Sequence, residues 1–360
     1  MNQNKLPKKV FILRNNDLGD VLVATPLVRG IKEAFPESHI SLGVGDWAAR
    51  LLENNPYLDE VVHCNAPWHN KQNCRFPANS PRTFLEGLTY VLCSREARYI
   101  RRQRYTHGID FLGSRQGSWL FKRASIKNRY GVRGYAGGDT WCTDCVDFRE
   151  NRNVTKAGLA FLKLLGAEVE IEPRPLLFLT ESEQKEAENR WRGRNSESKR
   201  IILAPGGGFP EKCWGNESYS ELVTLLLKHT QHQICIIGSN EDHDRIASET
   251  WNNHNRRVQN LCGYLSLRQS AALVSRSDFV FSNTSFCMHL AGTFRIPSII
   301  LLGHWYDSAK LHADQWGYPE GKVLGREVSE GQFSILSSEE AYKTFSKLID
   351  GENKTPLKLF

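Results

Sequence analysis

The chain has 360 residues, 40% of them hydrophobic and 24% charged, with a formal net charge of +7. That length fits two domains of average size. No run of about 18 apolar residues exists, which excludes a membrane-spanning helix, and residues 1–9 lack the apolar core of a secretory leader. The nine cysteines are scattered and odd in number, so they are read as reduced thiols of a cytoplasmic protein. The positive charge suits an anionic partner or an anionic membrane surface, but it is too diffuse to indicate nucleic acid.

The chain opens with its most informative stretch, residues 10–31 (VFILRNNDLGDVLVATPLVRGI). An apolar run at 10–13 predicts a buried strand. A polar break follows at 14–20, and Val21, Leu22, Leu27, Val28 and Ile31 then recur at helical spacing. In an open α/β sheet such a turn lies at the carboxyl end of a strand, where ligands bind. Gly19 is expected to let the backbone turn sharply, and Asp20 to stand at the helix start, either facing a ligand or acting only as the N-cap.

Strands are predicted next at 39–44 and 60–63, with a helix at 47–52 between them. Residues 64–82, rich in Asn and Pro and without apolar period, predict an exposed loop. A helix is expected over 83–105, ending in a basic run at 95–104 that is read as solvated surface charge. A strand at 108–112, a polar turn at 113–118, a short helix at 119–124 and a strand end at 129–132 follow. Residues 133–150 read as an irregular loop, and 153–165 as a helix capped by Gly166.

Residues 167–200 are a changeover holding a charged helix at 181–194. The pattern then restarts, with strands at 200–204, 233–237, 258–261, 278–281 and 298–302. Helices are expected at 218–228, 242–251, 266–275, 286–294 and 337–349. This alternation predicts parallel, doubly wound sheets in both halves, with an N-terminal domain at 1–170, a second at 171–336 and a terminal helical segment at 337–360. A cleft between two such domains is a common ligand site.

Four constellations carry candidate chemistry. The turn PGGGFPEK at 205–212 follows a strand, so Gly206, Gly207 and Gly208 could bring backbone N–H groups to a phosphate and Lys212 add a charge; a plain structural loop is the rival. Residues 282–302 (SNTSFCMHLAGTFRIPSIILL) place Asn283, Thr284 and Ser285 at a helix start where their amides and hydroxyls suit an anion, with His289 inside the helix as a ligand contact or a packing residue. Gly43-x-Gly45-x-x-Ala48 matches the dinucleotide fingerprint in form, but after the second strand rather than the first. Cys64, Cys74, Cys142 and Cys145, with His63 and His69, are either a zinc set shared by two loops or free thiols.

Taken together, these residues resemble glycosyltransferase family 9, the ADP-heptose:lipopolysaccharide heptosyltransferases. The resemblance rests on residues 19–27 (GDVLVATPL), Phe35-Pro36, residues 55–61 (NPYLDEV), Ala204-Pro205-Gly206 with Lys212-x-Trp214, residues 261–267 (LCGYLSL) and Met288-His289-Leu290-Ala291. It implies a GT-B architecture of two Rossmann-like domains facing across a cleft, acceptor bound by the first and sugar nucleotide by the second. The terminal helix would pack back on the first domain. It also implies an inverting transfer of heptose, or a related sugar, to lipopolysaccharide or another surface glycan, needing no metal and no cofactor.

In that scheme Asp20 is the base that takes the acceptor proton. Gly206, Gly207, Gly208, Lys212, Glu241, Thr284, Ser285, Met288 and His289 hold the donor, and Arg14, Gly19 and Arg115 face an anionic glycan or glycolipid, with peripheral contact to the inner membrane surface. Where the family commonly has Asn-Asp-Thr-Gly, this chain has Asn283-Thr284-Ser285-Phe286. That departure leads us to expect retained nucleotide binding with altered sugar selectivity. Another nucleotide-sugar donor, or a catalytically silent sugar-nucleotide-binding protein, are the alternatives.

Overall fold

A computed structural model describes residues 6–77, 80–150, 152–191, 198–246 and 256–352, with the backbone alone at 244–246 and 350–352. Residues 192–194 and 247–251 of two predicted helices, 78–79 of the predicted loop and 353–360 of the terminal segment lie outside that description. The chain divides into two compact units, Met1–Phe178 and Leu179–Phe360, eight residues beyond the expected boundary.

The first unit holds a six-stranded sheet of β1 (Lys9–Leu13), β2 (His39–Val44), β3 (Glu60–His63), β4 (His107–Asp110), β5 (Asn128–Arg133) and β6 (Asp144–Asp147). Its order is β3-β2-β1-β4-β5-β6, and every pair is parallel. The second unit repeats this with β7 (Arg200–Ala204), β8 (Gln233–Ile236), β9 (Val258–Asn260), β10 (Phe279–Ser282), β11 (Ser298–Leu301) and β12 (Gly321–Leu324), ordered β12-β11-β10-β7-β8-β9 and again all parallel. Both are the doubly wound order in which the chain leaves the first strand on one side and returns on the other. The switch points fall between β1 and β4 and between β7 and β10, where such sheets bind ligands.

Central strands are apolar on both faces, as helices on either side of a parallel sheet require. Val10, Phe11, Ile12 and Leu13 are buried, as are Ile201, Ile202 and Leu203. The first core gathers Phe11, Trp68, Tyr105 and Phe121; the second gathers Phe279, Phe281, Leu222 and Phe345.

Several elements differ from expectation, each for a local reason. Ala24 breaks the first helix in two, Leu18–Val23 and Thr25–Ala34, because Pro26 lies at the start of the second, where no N–H is needed. Ser94 divides the helix expected at 83–105 into Pro81–Cys93 and Arg95–Arg102, its hydroxyl accepting from the Ala97 N–H at 2.9 Å. The loop expected to be exposed at 64–82 buries Cys64, Ala66 and Trp68 completely. The loop expected at 133–150 contributes β6. The helix Ala309–Trp316 and β12 were absent from the sequence reading.

The terminal helix Ser338–Glu352, expected to pack on the first domain, inserts Ala341 and Phe345 into the core of the second. Phe345 meets Phe279 edge-on at 4.9 Å between ring centroids.

The dinucleotide-like glycines serve packing. A Cβ on Gly43 would lie 2.6 Å from the Phe11 ring, and one on Gly45 would lie 2.2 Å from Trp47, so side chains occupy the space a pyrophosphate would need.

Candidate active site

In the first unit the chain leaves β1 with its backbone still in the sheet: the Arg14 N–H donates to the Gly43 carbonyl at 2.8 Å. Arg14 is therefore buried, and its guanidinium needs an anion. Asp20 supplies one. Arg14 Nη2 donates to Asp20 Oδ1 at 2.5 Å and Nε to the Asp20 carbonyl at 3.2 Å, while the guanidinium stacks 5.1 Å from the Phe111 ring centroid. The Asp20 side chain keeps 26% of its exposure, held on one side by Arg14 and open to solvent on the other. The N-cap of Leu18–Val23 is Asp17, so Asp20 is not the cap; it sits in the first helical turn. Gly19 lies in that helix without a positive φ, so the sharp turn expected of it is not made there.

The irregular segment after β3 is tied to the turn that follows β1. The amides of Asn15 and Asn16 donate to the carbonyls of Trp68 at 3.1 Å and His69 at 2.6 Å, and Trp47 Nε1 donates to the Asn16 carbonyl at 2.9 Å. Burial, and then the nearby Arg14 charge, hold the His69 imidazole below its usual pKa.

On the neighbouring strand β4 ends in Asp110, a residue sequence reasoning did not single out. Asp110 is fully buried and accepts from the N–H groups of Gly113 at 3.1 Å and Ser114 at 2.8 Å and from the Ser114 hydroxyl at 2.9 Å. Burial pushes its carboxyl up to about 6 against the opposing pull of these bonds and of Arg14. Ser114 in turn caps the helix Arg115–Arg123. A Cβ on Gly117 would fall 2.0 Å from Asp110 Oδ2, which fixes glycine there. The signal was an Asp at a strand end followed by Gly-Ser. Arg14, Gly19 and Asp20 thus come together at the switch point. Arg115 starts the next helix, exposed and beside Gly137. Arg14, expected to face an acceptor, is buried and turned to Asp20.

In the second unit the equivalent switch point is built on Asn283, wholly buried just after β10. Its Nδ2 donates to the Pro205 carbonyl at 2.5 Å, and its Oδ1 accepts from the Trp214 N–H at 3.1 Å and the Tyr219 hydroxyl at 3.2 Å. One amide thereby clamps both ends of the glycine loop. Gly206 approaches Asp242 so closely that a Cβ would lie 2.3 Å from Oδ2. Asp242 accepts from the Ser239 N–H and hydroxyl at 2.7 and 2.8 Å. The carboxylate that meets the loop is therefore Asp242; Glu241, one residue earlier, is exposed.

Lys212 ends the turn Pro210–Lys212, its ammonium 5.2, 5.8 and 5.9 Å from the ring centroids of Phe209, Trp305 and Tyr306. Aromatic faces attract a cation. The loop after β11 is stitched to the same turn: Gly303 N–H donates to the Lys212 carbonyl at 3.2 Å and Trp305 N–H to that of Glu211 at 3.1 Å.

Thr284 Oγ1 lies 2.8 Å from His312 Nε2. His312 is buried, and its Nδ1 has no partner among the described residues. A proton on Nδ1 would lack an acceptor, so the neutral ring carries it on Nε2 and donates to Thr284. Burial, then the charges of His289 and Lys212, push His312 down to about 4. His289 pairs its Nδ1 with the Tyr318 hydroxyl at 2.7 Å. Ser285 caps Phe286–Phe294 through its position only, its hydroxyl meeting that of Ser282 at 3.1 Å. Met288 is buried with Ile300, Leu302 and Ala309 in an apolar cluster, which makes it a packing residue.

The structure brings Gly206, Gly207, Lys212 and Thr284 to one strand-end region and leaves Glu241 on the helix surface. Among the described residues no group of three or more His, Cys, Asp or Glu side chains is arranged to hold a metal ion. Cys64 is a core residue, and Cys142 donates to the Gly138 carbonyl at 2.9 Å.

Two doubly wound units of this order in one chain constitute the GT-B fold, and solved structures of that class superpose on nearly all of it. Escherichia coli ADP-heptose lipopolysaccharide heptosyltransferase II matches with a TM-score of 0.72 at 19% identity, over 96% of this chain and 99% of that one. E. coli heptosyltransferase WaaC with ADP-2-deoxy-2-fluoro heptose matches with a TM-score of 0.69 at 15% identity, over 94% and 99%. The family model of glycosyltransferase family 9 (heptosyltransferase) matches residues 94–308. The chain belongs to that family and is a glycosyltransferase. The lipopolysaccharide core heptosyltransferase OpsX of Haemophilus influenzae is 24% identical over 309 residues, 83% of this chain and 80% of that protein.

The neutral state of His312 has a measurable consequence. The unfolded chain takes up this proton near the ordinary value of 6.5, the native chain only at about 4. Between those values the unfolded state binds more protons, so this residue makes stability fall as pH drops from 6.5 towards 4. NMR titration of the His312 imidazole should show no protonation until about pH 4; a midpoint at the ordinary value of 6.5 would contradict the buried geometry.

Proposed function

We propose that the chain transfers a heptose, or a closely related sugar, from ADP-heptose to a lipopolysaccharide or other surface-glycan acceptor, inverting the anomeric carbon without a metal ion. The observation that carries this reading is the Arg14–Asp20 pair, which presents a partly exposed carboxylate at the first switch point. A sugar hydroxyl is a weak nucleophile, and a carboxylate within hydrogen-bond reach can take its proton as it attacks. In a single displacement the acceptor oxygen bonds to the anomeric carbon as the bond to the diphosphate breaks. The proton passes to Asp20 and the nucleoside diphosphate departs. Arg14 orients the carboxylate.

Lys212 and the backbone N–H groups of Gly206, Gly207 and Gly208 meet the charge of the departing diphosphate in this scheme, so it calls on no cation. Asp242, rather than the exposed Glu241, takes the place of the acidic residue nearest the glycine loop. Thr284, Ser285 and His289 border the donor, and exposed Arg115 meets the anionic acceptor. Relatives whose names carry lipopolysaccharide heptosyltransfer, and the WaaC structure holding an ADP-linked heptose analogue, support this choice of donor and acceptor.

Asp20→Asn keeps an oxygen to accept from Arg14 but cannot take a proton. Turnover should fall by roughly 10²–10⁴ with ADP affinity close to wild type, and the thermal midpoint should drop modestly because the buried Arg14 loses its anion. A variant with near-normal turnover would remove Asp20 from the mechanism.

Thr284 is paired with the neutral ring of His312, and Phe286, half-buried, stands where a glycine would leave room for a ligand. Sugar selectivity should therefore differ from that of relatives with Asp and Gly at these positions. Relative rates with ADP-heptose and other ADP-linked sugars should shift towards ADP-heptose in Thr284→Asp/Phe286→Gly. Exclusive use of ADP-heptose by both proteins would make the two substitutions neutral.

A further inference from the structure

Sugar transfer makes no use of Cys142-Thr143-Asp144-Cys145, which carries the chain from the loop after β5 into β6. Both thiols are free and half-buried. Gly131 on β5 brings them together. Cys145 is its partner in the parallel register of β5 and β6, and residues paired in register project from the same face, about 5 Å apart. Cys142 covers that face from the loop: a Cβ on Gly131 would lie 2.7 Å from Cys142 Sγ. The Cys142 sulfur therefore stands over Gly131, within a side chain's reach of Cys145. Among the described residues no group of three or more His, Cys, Asp or Glu is arranged to hold a metal ion, so the chemistry open to the pair is that of a dithiol.

The two thiols are not equivalent. Burial, then the Asp110 carboxylate and Cys145 itself, push the Cys142 thiol well up. Burial also raises Cys145, but the Arg133 guanidinium pulls against it. Cys145 is thus the thiol that ionises first and attacks, with Cys142 following. Cys142 has a second task. Its thiol donates to the Gly138 carbonyl at 2.9 Å, and the strap of residues 134–141 that it anchors lies on the turn after β4. There the Arg115 N–H donates to the Ala136 carbonyl at 3.0 Å, and a Cβ on Gly138 would fall 2.1 Å from Gly113. Gly113 in turn donates its N–H to Asp110 at 3.1 Å.

We propose that Cys142 and Cys145 form a reversible dithiol–disulfide site that takes a low-molecular-weight disulfide, such as glutathione disulfide, as its oxidant, and that oxidation withdraws the Cys142 proton from Gly138 and loosens the strap over residues 113–115. The Cys145 thiolate attacks one sulfur of the small disulfide, whose S–S bond breaks and releases one glutathione thiolate. The Cys142 thiolate then attacks the Cys145 sulfur and expels the second. Two electrons pass from the protein dithiol to the small disulfide, and the two protons end on two glutathione thiols. Gly138 is then left without its thiol donor. Exchange of this kind requires no sugar, so the site is independent of the transfer reaction.

A glutathione redox titration of the full chain, quenched with acid, alkylated and digested with trypsin, tests it. Arg133 and Arg149 leave both cysteines in one peptide, residues 134–149. With rising glutathione disulfide that peptide should pass from doubly alkylated to a form lighter by two hydrogens than the free dithiol, and dithiothreitol should restore it. Cys142→Ser should stop at a mixed disulfide between Cys145 and glutathione. Cys145→Ser should take up glutathione at Cys142 roughly tenfold more slowly or less. Serine keeps a donor for Gly138, so reduced Cys142→Ser should melt as wild type does. A peptide that stays doubly alkylated in glutathione disulfide alone, or that gathers glutathione without closing, would overturn the site. Deuterium uptake over residues 134–140 should rise on oxidation of wild type and not of Cys142→Ser; equal uptake in oxidised and reduced wild type would overturn the link to the strap.

Discussion

A guanidinium cannot be kept out of water unless its charge is met. Strand β1 is buried to its last residue, and the sheet carries the chain one residue further before it is free to turn. Arg14 is therefore 4% exposed, and the local structure is arranged to compensate it. The helix Leu18–Val23 brings Asp20 back within hydrogen-bond reach, Phe111 lies against the guanidinium plane, and Asp110 adds a further negative charge from the next strand. Removing one partner of a buried ion pair typically costs about 3–5 kcal/mol; here the cost is smaller, since Asp20 is partly solvated and Asp110 shares the compensation. What the pair provides is a carboxylate whose direction is fixed.

The second unit solves the same topological problem without charge. At the point where β7 and β10 diverge, the neutral amide of Asn283 satisfies a carbonyl on one side of the glycine loop and an N–H on the other. The loop is held open by contacts that exclude any side chain: Asp242 against Gly206 and Cys213 against Gly207. A loop built in this way can present its backbone to a phosphate without rearranging first. In both units the candidate chemistry thus lies at the carboxyl ends of the strands flanking the switch point, as the strand order dictates.

Much of this arrangement was legible in the sequence, and the reasons for the rest are local. Central strands announce themselves because both faces are buried; β6 (DCVD) and β12 (GKVL) are edge strands, half-wet and short, and carry little apolar pattern. Trp68 is fully buried from an Asn-rich segment with no period. Its burial depends on side-chain amides of Asn15, Asn16 and Asn70 satisfying an irregular backbone, and spacing cannot reveal that. Asp20 and Lys212 could be singled out because they follow strands in turn-forming contexts. Asp110, Asp242 and His312 act through contacts between segments distant in the chain or through capping of a turn, so each looked like an ordinary polar residue; Asn283 was legible as a cap candidate, but not as the buried amide that clamps the glycine loop. Met288 misled in the opposite sense: it lies in a recognisable motif, yet its side chain is core.

The central claim is that Asp20, oriented by Arg14, takes the acceptor proton in a single displacement at the anomeric carbon. It is tested most directly by following transfer from ADP-heptose to a deacylated inner-core oligosaccharide by proton NMR, in excess chelator. The account predicts one product anomer, of configuration opposite to the donor, with ADP released in equal amount. Retention of configuration would contradict it, because retention requires a different role for the carboxylate or a second nucleophile.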